Sequence, residues 1–162
     1  MTVSIPQVHA TDAVSLTADG IVELFHIILY PGTTHLYLKD NDNVTWNGNV
    51  YEGIPIQLRG TGSSADATVV RPTLNIFNPN AMFSAQVASG TIEGAEVIRY
   101  RVLRSNLSAS TPIFIQHSWR VIRVSQLTRY NISLELREDI DGPNFLTPAR
   151  MYMPPEFPSV TI

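Results

Sequence analysis

The stretch Val44-Thr45-Trp46-Asn47-Gly48-Asn49-Val50-Tyr51-Glu52 decides the fold class of this chain. Two short β-prone runs flank Asn47-Gly48, and a two-residue type I′ turn needs positive φ at both central positions, which Asn and Gly tolerate. The stretch therefore predicts a tight β-hairpin. Upstream, Ile21-Val22-Glu23-Leu24-Phe25-His26-Ile27-Ile28-Leu29-Tyr30 is β-branched, aromatic and of strand length, and Pro31-Gly32 closes it. His35-Leu36-Tyr37-Leu38 reads as its antiparallel partner, and Asp40-Asn41-Asp42-Asn43 supplies the next turn.

Downstream, Ile54 to Arg59 continues as a strand in which Pro55 argues for an edge or a strand start. A small-residue segment, Gly60 to Asp66, follows; Ala67 to Arg71 and Thr73 to Phe77 then read as strand pieces divided by Pro72. Asn78-Pro79, Ala81 to Ala88 and Ser89-Gly90 fit one short helix, with Asn as cap, Pro in the first turn and Gly at the close. Strands are expected again over Ala95 to Leu103, Ile113 to Val124 and Tyr130 to Arg137. The last has a strict period of two: Tyr130, Ile132, Leu134 and Leu136 against Asn131, Ser133, Glu135 and Arg137.

The ends lack such patterning. Residues 1–19 are mixed and polar around Pro6 and read as an arm or loop. Residues 142–162 hold five of the eleven prolines, Pro143, Pro148, Pro154, Pro155 and Pro158, which bar a helix interior and a central strand. Phe145, Leu146, Met151, Tyr152, Met153 and Phe157 nevertheless make this segment too apolar for a solvated tail. Burying each such side chain is worth about 1.5–3 kcal/mol, so the segment is expected to dock as an extended arm. The reading is a mainly β chain of seven to nine strands with one short helix and extended termini, divided into an N-terminal arm (1–19), a β domain (20–141) and a Pro-rich C-terminal arm (142–162).

Composition narrows the function. The 162 residues suit one domain. Charged residues are 15% of the chain, against about 25% in typical soluble domains. Part of a surface so poor in charge is expected to be covered by partners. A net charge of −3 supplies no basic field for nucleic-acid phosphates, and Lys39 is the only lysine beside ten arginines, which suits interfaces. There is no Cys, so disulfides, thiol catalysis and Cys-held metals are excluded. No apolar run reaches the length of a membrane span or resembles a secretory signal segment.

Chemistry-bearing patterns are missing too. His9, His26, His35 and His117 lack the short spacing of metal ligands. Asp40, Asp42 and Asn43 do not carry the Gly and distal Glu of a calcium loop. There is no nucleophile elbow, Gly60-Thr61-Gly62 precedes no helix that would cradle phosphate, and Asp139 and Asp141 beside Gly142-Pro143 read as a solvated turn. No enzyme, cofactor or metal is expected. Trp46, Tyr51 and Trp119 are open to two readings: an aromatic platform for sugars, as in a β-sandwich carbohydrate-binding module, or packing between strands, which their strand positions favour.

The block Asn43 to Ile56, then Arg71-Pro72-Thr73-Leu74, Arg99-Tyr100-Arg101-Val102, Ser118-Trp119-Arg120-Val121 and Thr147 to Met151, resembles the phage minor tail protein L family in an ordered set across most of residues 20–150. The resemblance implies an antiparallel split β-barrel or sandwich of the tail-tube and hub type. It also implies a structural subunit of the virion, made in the host cytoplasm. Such a subunit sits in a trimeric, hexameric or pseudo-hexameric ring at the distal tail tip, between the tail tube or an adjacent minor tail protein and the central tip protein. The family's long form continues into a cysteine-containing region that binds an iron–sulfur cluster; this chain has no Cys, so the ring role carries over and the cluster does not. On this reading Gly60, Gly62, Ser63 and Ser64, in a segment that is otherwise a plain surface loop, pack onto the adjacent ring. Phe145, Leu146, Tyr152, Met153 and Phe157 are the expected contacts of the arm.

Overall fold

The computed structural model describes residues 5–13, 20–61, 71–108 and 112–138. Nine strands span them: β1 (Ile21–Leu29), β2 (Thr34–Lys39), β3 (Val44–Trp46), β4 (Asn49–Gly53), β5 (Ile56–Arg59), β6 (Thr73–Phe77), β7 (Glu96–Leu103), β8 (Ile115–Leu127) and β9 (Asn131–Glu138). They form one sheet in the order β3-β4-β2-β1-β7-β8-β9-β6-β5. The expected hairpin is β3–β4, with Asn47 at φ 48° and Gly48 at φ 77°. One ladder departs from the antiparallel expectation: β4 runs parallel to β2, with Leu38 beside Glu52 and Lys39 beside Gly53. The β3–β4 turn reverses the chain once more after β2, so it returns in the direction of β2.

The sheet closes on itself through the chain. Only Ile54 and Pro55 separate β4, at the β2 end, from β5, at the β6 end. The Ile54 N–H donates to the Lys39 carbonyl at 2.8 Å, and the Phe77 N–H to the Pro55 carbonyl at 2.8 Å. The result is a barrel split where β4 becomes β5. A single apolar core fills it, drawing Phe25 and Ile27 from β1, Leu38 from β2, Ile56 from β5, Leu74 and Ile76 from β6, Val97 from β7, Trp119 and Val121 from β8, and Ile132, Leu134 and Leu136 from β9. Alternation along each strand sends these side chains inward.

A second apolar cluster lies on the outer face of β1 and β7. There Trp46 and Tyr51 cover Leu24 and Val102, with Tyr37, Tyr100 and Phe114 around them. Trp46 meets Phe114 edge-on at 5.4 Å, and Tyr37 meets Tyr51 edge-on at 5.3 Å. Such pairs contribute about 0.5–1.5 kcal/mol beyond burial. The hairpin β3–β4 is thus a flap sealed onto the outside of the barrel.

Three local departures from the sequence reading have physical causes. A helix, α1 (Gln7–Ala13), occupies part of the expected N-terminal arm; the Pro6 carbonyl accepts the N–H groups of His9 and Ala10 and starts the turn. The expected single helix after Asn78 is instead a 3₁₀ turn (Pro79–Ala81) and a short α2 (Ser84–Ala88). Asn78 is fully buried and does not cap the first turn: its side chain accepts the Phe83 N–H at 3.0 Å and donates to the Thr128 carbonyl at 3.1 Å. Ala81, at φ 58°, breaks the helical path between them. Tyr130 lies outside β9 and is 60% exposed, because the Thr128 hydroxyl accepts the N–H groups of Tyr130 and Asn131 and folds 128–130 into the β8–β9 turn. The strand expected at Ala67 to Arg71 lies almost wholly outside the described residues; Arg71 itself is not in a strand.

Gly53 sits at the closure. Its N–H donates to the Asn43 side-chain oxygen at 2.7 Å, and a Cβ there would run into the Asn41 carbonyl oxygen and the backbone of Asp42. Gly53→Ala is expected to destabilise the purified chain by about 1–3 kcal/mol in denaturant unfolding, while Gly20→Ala, whose added Cβ meets nothing within 4 Å, leaves the midpoint near that of the parent. Equal midpoints for the two variants would remove the closure from its place in the fold.

Candidate assembly surface

A barrel split in this way leaves peptide groups without strand partners among the described residues, and parity says which. The Gly20 carbonyl accepts the Arg104 N–H at 2.8 Å, so even-numbered residues of β1 direct their peptide groups to β7, and Ile21 and Glu23 direct theirs the other way. On that other side β2 has already ended, because Lys39 pairs with Leu24. Across the opening, the Pro55 carbonyl is bonded to Phe77, so odd-numbered residues of β5 serve β6 and Ile56 and Leu58 face away from it.

Between the two edges is a hollow of about 330 Å³ lined by Ile21, Val22, Glu23, Phe25, Lys39, Asp40, Asn41 and Ile56. It continues the track of β2 past Lys39. Ile21, on the inward parity of β1, remains 49% exposed beside it. A neighbouring hollow of about 380 Å³, lined by Pro55, Ile56, Gln57, Asn75 and Phe77 among others, extends along β5 and β6.

Behind Glu23 lies a polar cluster on the inner face. Its carboxylate is shared by Arg99 at 3.6 Å and Arg101 at 3.4 Å, and the Arg99 side chain, 11% exposed, lies over the Trp119 ring. His117 stacks beside Trp119 with rings 14° from parallel. Two guanidinium groups face the Glu23 carboxylate here, and Glu138 acts on His117 in the same cluster.

On the outer face, pairing of β1 with β2 brings His26 and His35 together, Nε2 to Nδ1 at 3.0 Å, with His26 stacked on Tyr37. Sequence spacing hides this contact: nine positions apart in the chain, the two rings become neighbours only through the β1–β2 register, in which Ile28 pairs with His35. Among the described residues no group of three His, Asp or Glu side chains is placed to hold a metal ion.

Of the expected assembly residues, only Gly60 falls among those described; it is exposed, at φ 75°, just past β5. Gly62, Ser63, Ser64, Phe145, Leu146, Tyr152, Met153 and Phe157 lie outside the described residues. Trp46, Tyr51 and Trp119 are 4%, 1% and 4% exposed, so these rings pack between strands and form no open platform. Edges at Ile21, Glu23, Ile56 and Leu58 were beyond sequence reasoning, since they arise from where β2 stops. Pro55 was the one signal, marking β5 as an edge.

Two histidines carry a pH signature. Burial first, and His35 second, hold His26 below the ordinary histidine value; burial, then Arg99 and Arg101, do the same for His117, opposed by Glu138. Both rings therefore bind protons more weakly folded than unfolded. Their contribution to stability is complete above the unfolded value of about 6.5 and is lost as pH falls below it toward the lowered folded values. The melting temperature is expected to fall between about pH 7 and pH 5.5, with a shallower fall for the double variant His26→Gln, His117→Gln. Identical slopes for parent and variant would contradict the assignment.

No curated protein matches the chain in sequence. Among solved structures, a chain from the virion of a native gene transfer agent particle shares the fold, with a TM-score of 0.59 at 13% identity over 92% of this chain. This chain spans half the length of that one. A model of the phage minor tail protein L family matches residues 32–151, from the turn before β2 past the end of β9. With the match spanning most of the barrel and well over half of the sequence, the chain belongs to the phage minor tail protein L family.

Proposed function

We propose that this chain is a structural subunit of a ring at the distal end of a phage tail, joining the tail tube or an adjacent minor tail protein to the central tip protein. The observation that carries the reading is the coincidence of the family match with a barrel whose wall, among the described residues, is open along β1 and β5. Exposed peptide edges are the backbone donors and acceptors used in strand addition between chains. Repeated head-to-tail contact of this kind closes into a ring when the rotation permits.

Charge fits the role. A net charge of −3 gives no general attraction for DNA phosphates, so a ring of such subunits does not retain DNA that passes it. Family membership points to a structural rather than an enzymatic role. The place of the subunit is the virion, at the tip.

Mass spectrometry of purified particles, with immunolabelling, is expected to find the chain in the tail and the label at its distal end. Absence from the particle would remove the reading. Deleting residues after Asp141 removes the apolar, proline-rich segment while leaving every described strand intact. That truncation is expected to retain the cooperative unfolding of the barrel and to lose tail assembly, scored by electron microscopy of lysates. Normal tails built with the truncated chain would show that the segment has no part in assembly.

A further inference from the structure

We propose that His26 and His35 together bind a divalent late transition-metal ion, of the zinc, nickel and copper class, on the outer face of the β1–β2 ladder. The proposal concerns this ladder alone and stands whether or not the chain sits in a ring.

The strand register builds the pair. Ile28 pairs with His35 and His26 with Tyr37, so the two histidines are diagonal neighbours on one face of the ladder. Diagonal backbone positions lie about 7–8 Å apart, a span that two imidazole rings fill from either side. The rings meet with His26 Nε2 and His35 Nδ1 3.0 Å apart, their centroids 5.2 Å apart and their planes 33° from parallel.

That separation suits chelation as well as it suits a hydrogen bond. Two nitrogens each about 2.0–2.1 Å from one ion stand about 2.9 Å apart at a right angle and about 3.3 Å apart at the tetrahedral angle. A small turn of one ring then aims both nitrogens at a common point beside the line that joins them. His35 has that freedom, because its side chain is exposed. His26 is half-buried and stacked on Tyr37, with ring centroids 4.5 Å apart and planes 18° from parallel. One ligand is thus held in place and the other swings onto the ion.

The protons balance. In the hydrogen-bonded pair one contact nitrogen carries the hydrogen that the other accepts. Metal entry needs a lone pair on both, so the donor ring takes its other tautomer: a proton leaves the contact nitrogen for water, and one returns to the far nitrogen of the same ring. Two metal–nitrogen bonds replace one hydrogen bond, and two neutral rings release no net proton.

Imidazole also selects the ion. It suits zinc, copper and nickel, whereas calcium and magnesium take oxygen ligands. Among the described residues no third His or carboxylate joins the pair, so water fills the remaining positions on the exposed side of His35. Because the two ligands come from adjacent strands, the ion staples β1 to β2 and stabilises the folded chain over the unfolded one.

The untagged full-length chain is titrated with zinc chloride, with stoichiometry from calorimetry and the histidine ring signals followed by nuclear magnetic resonance. One ion per chain is expected, with the His26 and His35 signals moving together and those of His9 and His117 unmoved. His35→Gln, at an exposed position, and His26→Gln are each expected to weaken zinc binding at least about tenfold, since the second, intramolecular bond of the chelate is lost. His117→Gln is expected to keep the parental affinity. Zinc is expected to raise the melting temperature of the parent and to leave that of His35→Gln unchanged. Equal zinc affinity in the parent and His35→Gln overturns the proposal. So does the absence of saturable zinc binding by the parent up to about 1 mM.

Discussion

The structure depends on one short passage of backbone, where the chain leaves the ladder with β2 at Gly53 and enters the ladder with β6 at Ile56. The Ile54 N–H bonds to Lys39 and the Gly53 N–H to the Asn43 side chain, so the passage is pinned from both sides. Open sheets of this many strands normally curl or divide. Here the covalent continuity of β4 and β5 makes the first and last parts of the sheet neighbours, and one interior can then hold side chains from both. Only glycine fits at position 53, because the Asn41 carbonyl occupies the space of a side chain.

Closure at a point, rather than along a whole strand, leaves peptide groups without strand partners among the described residues. A continuous strand in place of the turn at 40–43 would finish the wall between β1 and β5. Instead the chain turns outward to build the flap β3–β4, and the flap seals Leu24 and Val102 beneath Trp46 and Tyr51. The same excursion that buries the second cluster leaves the hollow between β1 and β5. A buried peptide group without a partner is unfavourable by about 1–3 kcal/mol, so the rim of β1 past Lys39 is tolerated where water reaches it.

Much of the fold was legible because the deciding signals are local. Asn47-Gly48 fixes one turn and thereby the register of β3 against β4. Ile132, Leu134 and Leu136 alternate in the sequence and are all buried in the structure. Proline at 55 marks an edge. What the sequence could not disclose depends on contacts far apart in the chain: Asn78 abandons its capping role for Thr128, 50 residues away, and His26 meets His35 only through strand pairing. The parallel ladder of β2 with β4 is of the same kind, since direction there is set by how many turns intervene. The open edges follow from strand ends, which local preference determines least well. Gly60 alone of the expected contact residues lies among those described.

Ion pairing at the mouth of the barrel makes the β1 side of this hollow polar. Glu23 contributes both an outward-directed peptide group and the carboxylate that holds Arg99 and Arg101. The ladder with β7, continuous from Ile21 to Ile28, keeps this edge of β1 extended where β2 has ended. Arg99 is held in turn by the face of Trp119, whose ring belongs to the core. Trp119, Arg99 and Glu23 thus join the core to the open rim by a chain of contacts. An edge already held in a ladder on one side has little conformational freedom left to lose. The wall is therefore incomplete in its hydrogen bonds among the described residues, while its backbone is already fixed by β7.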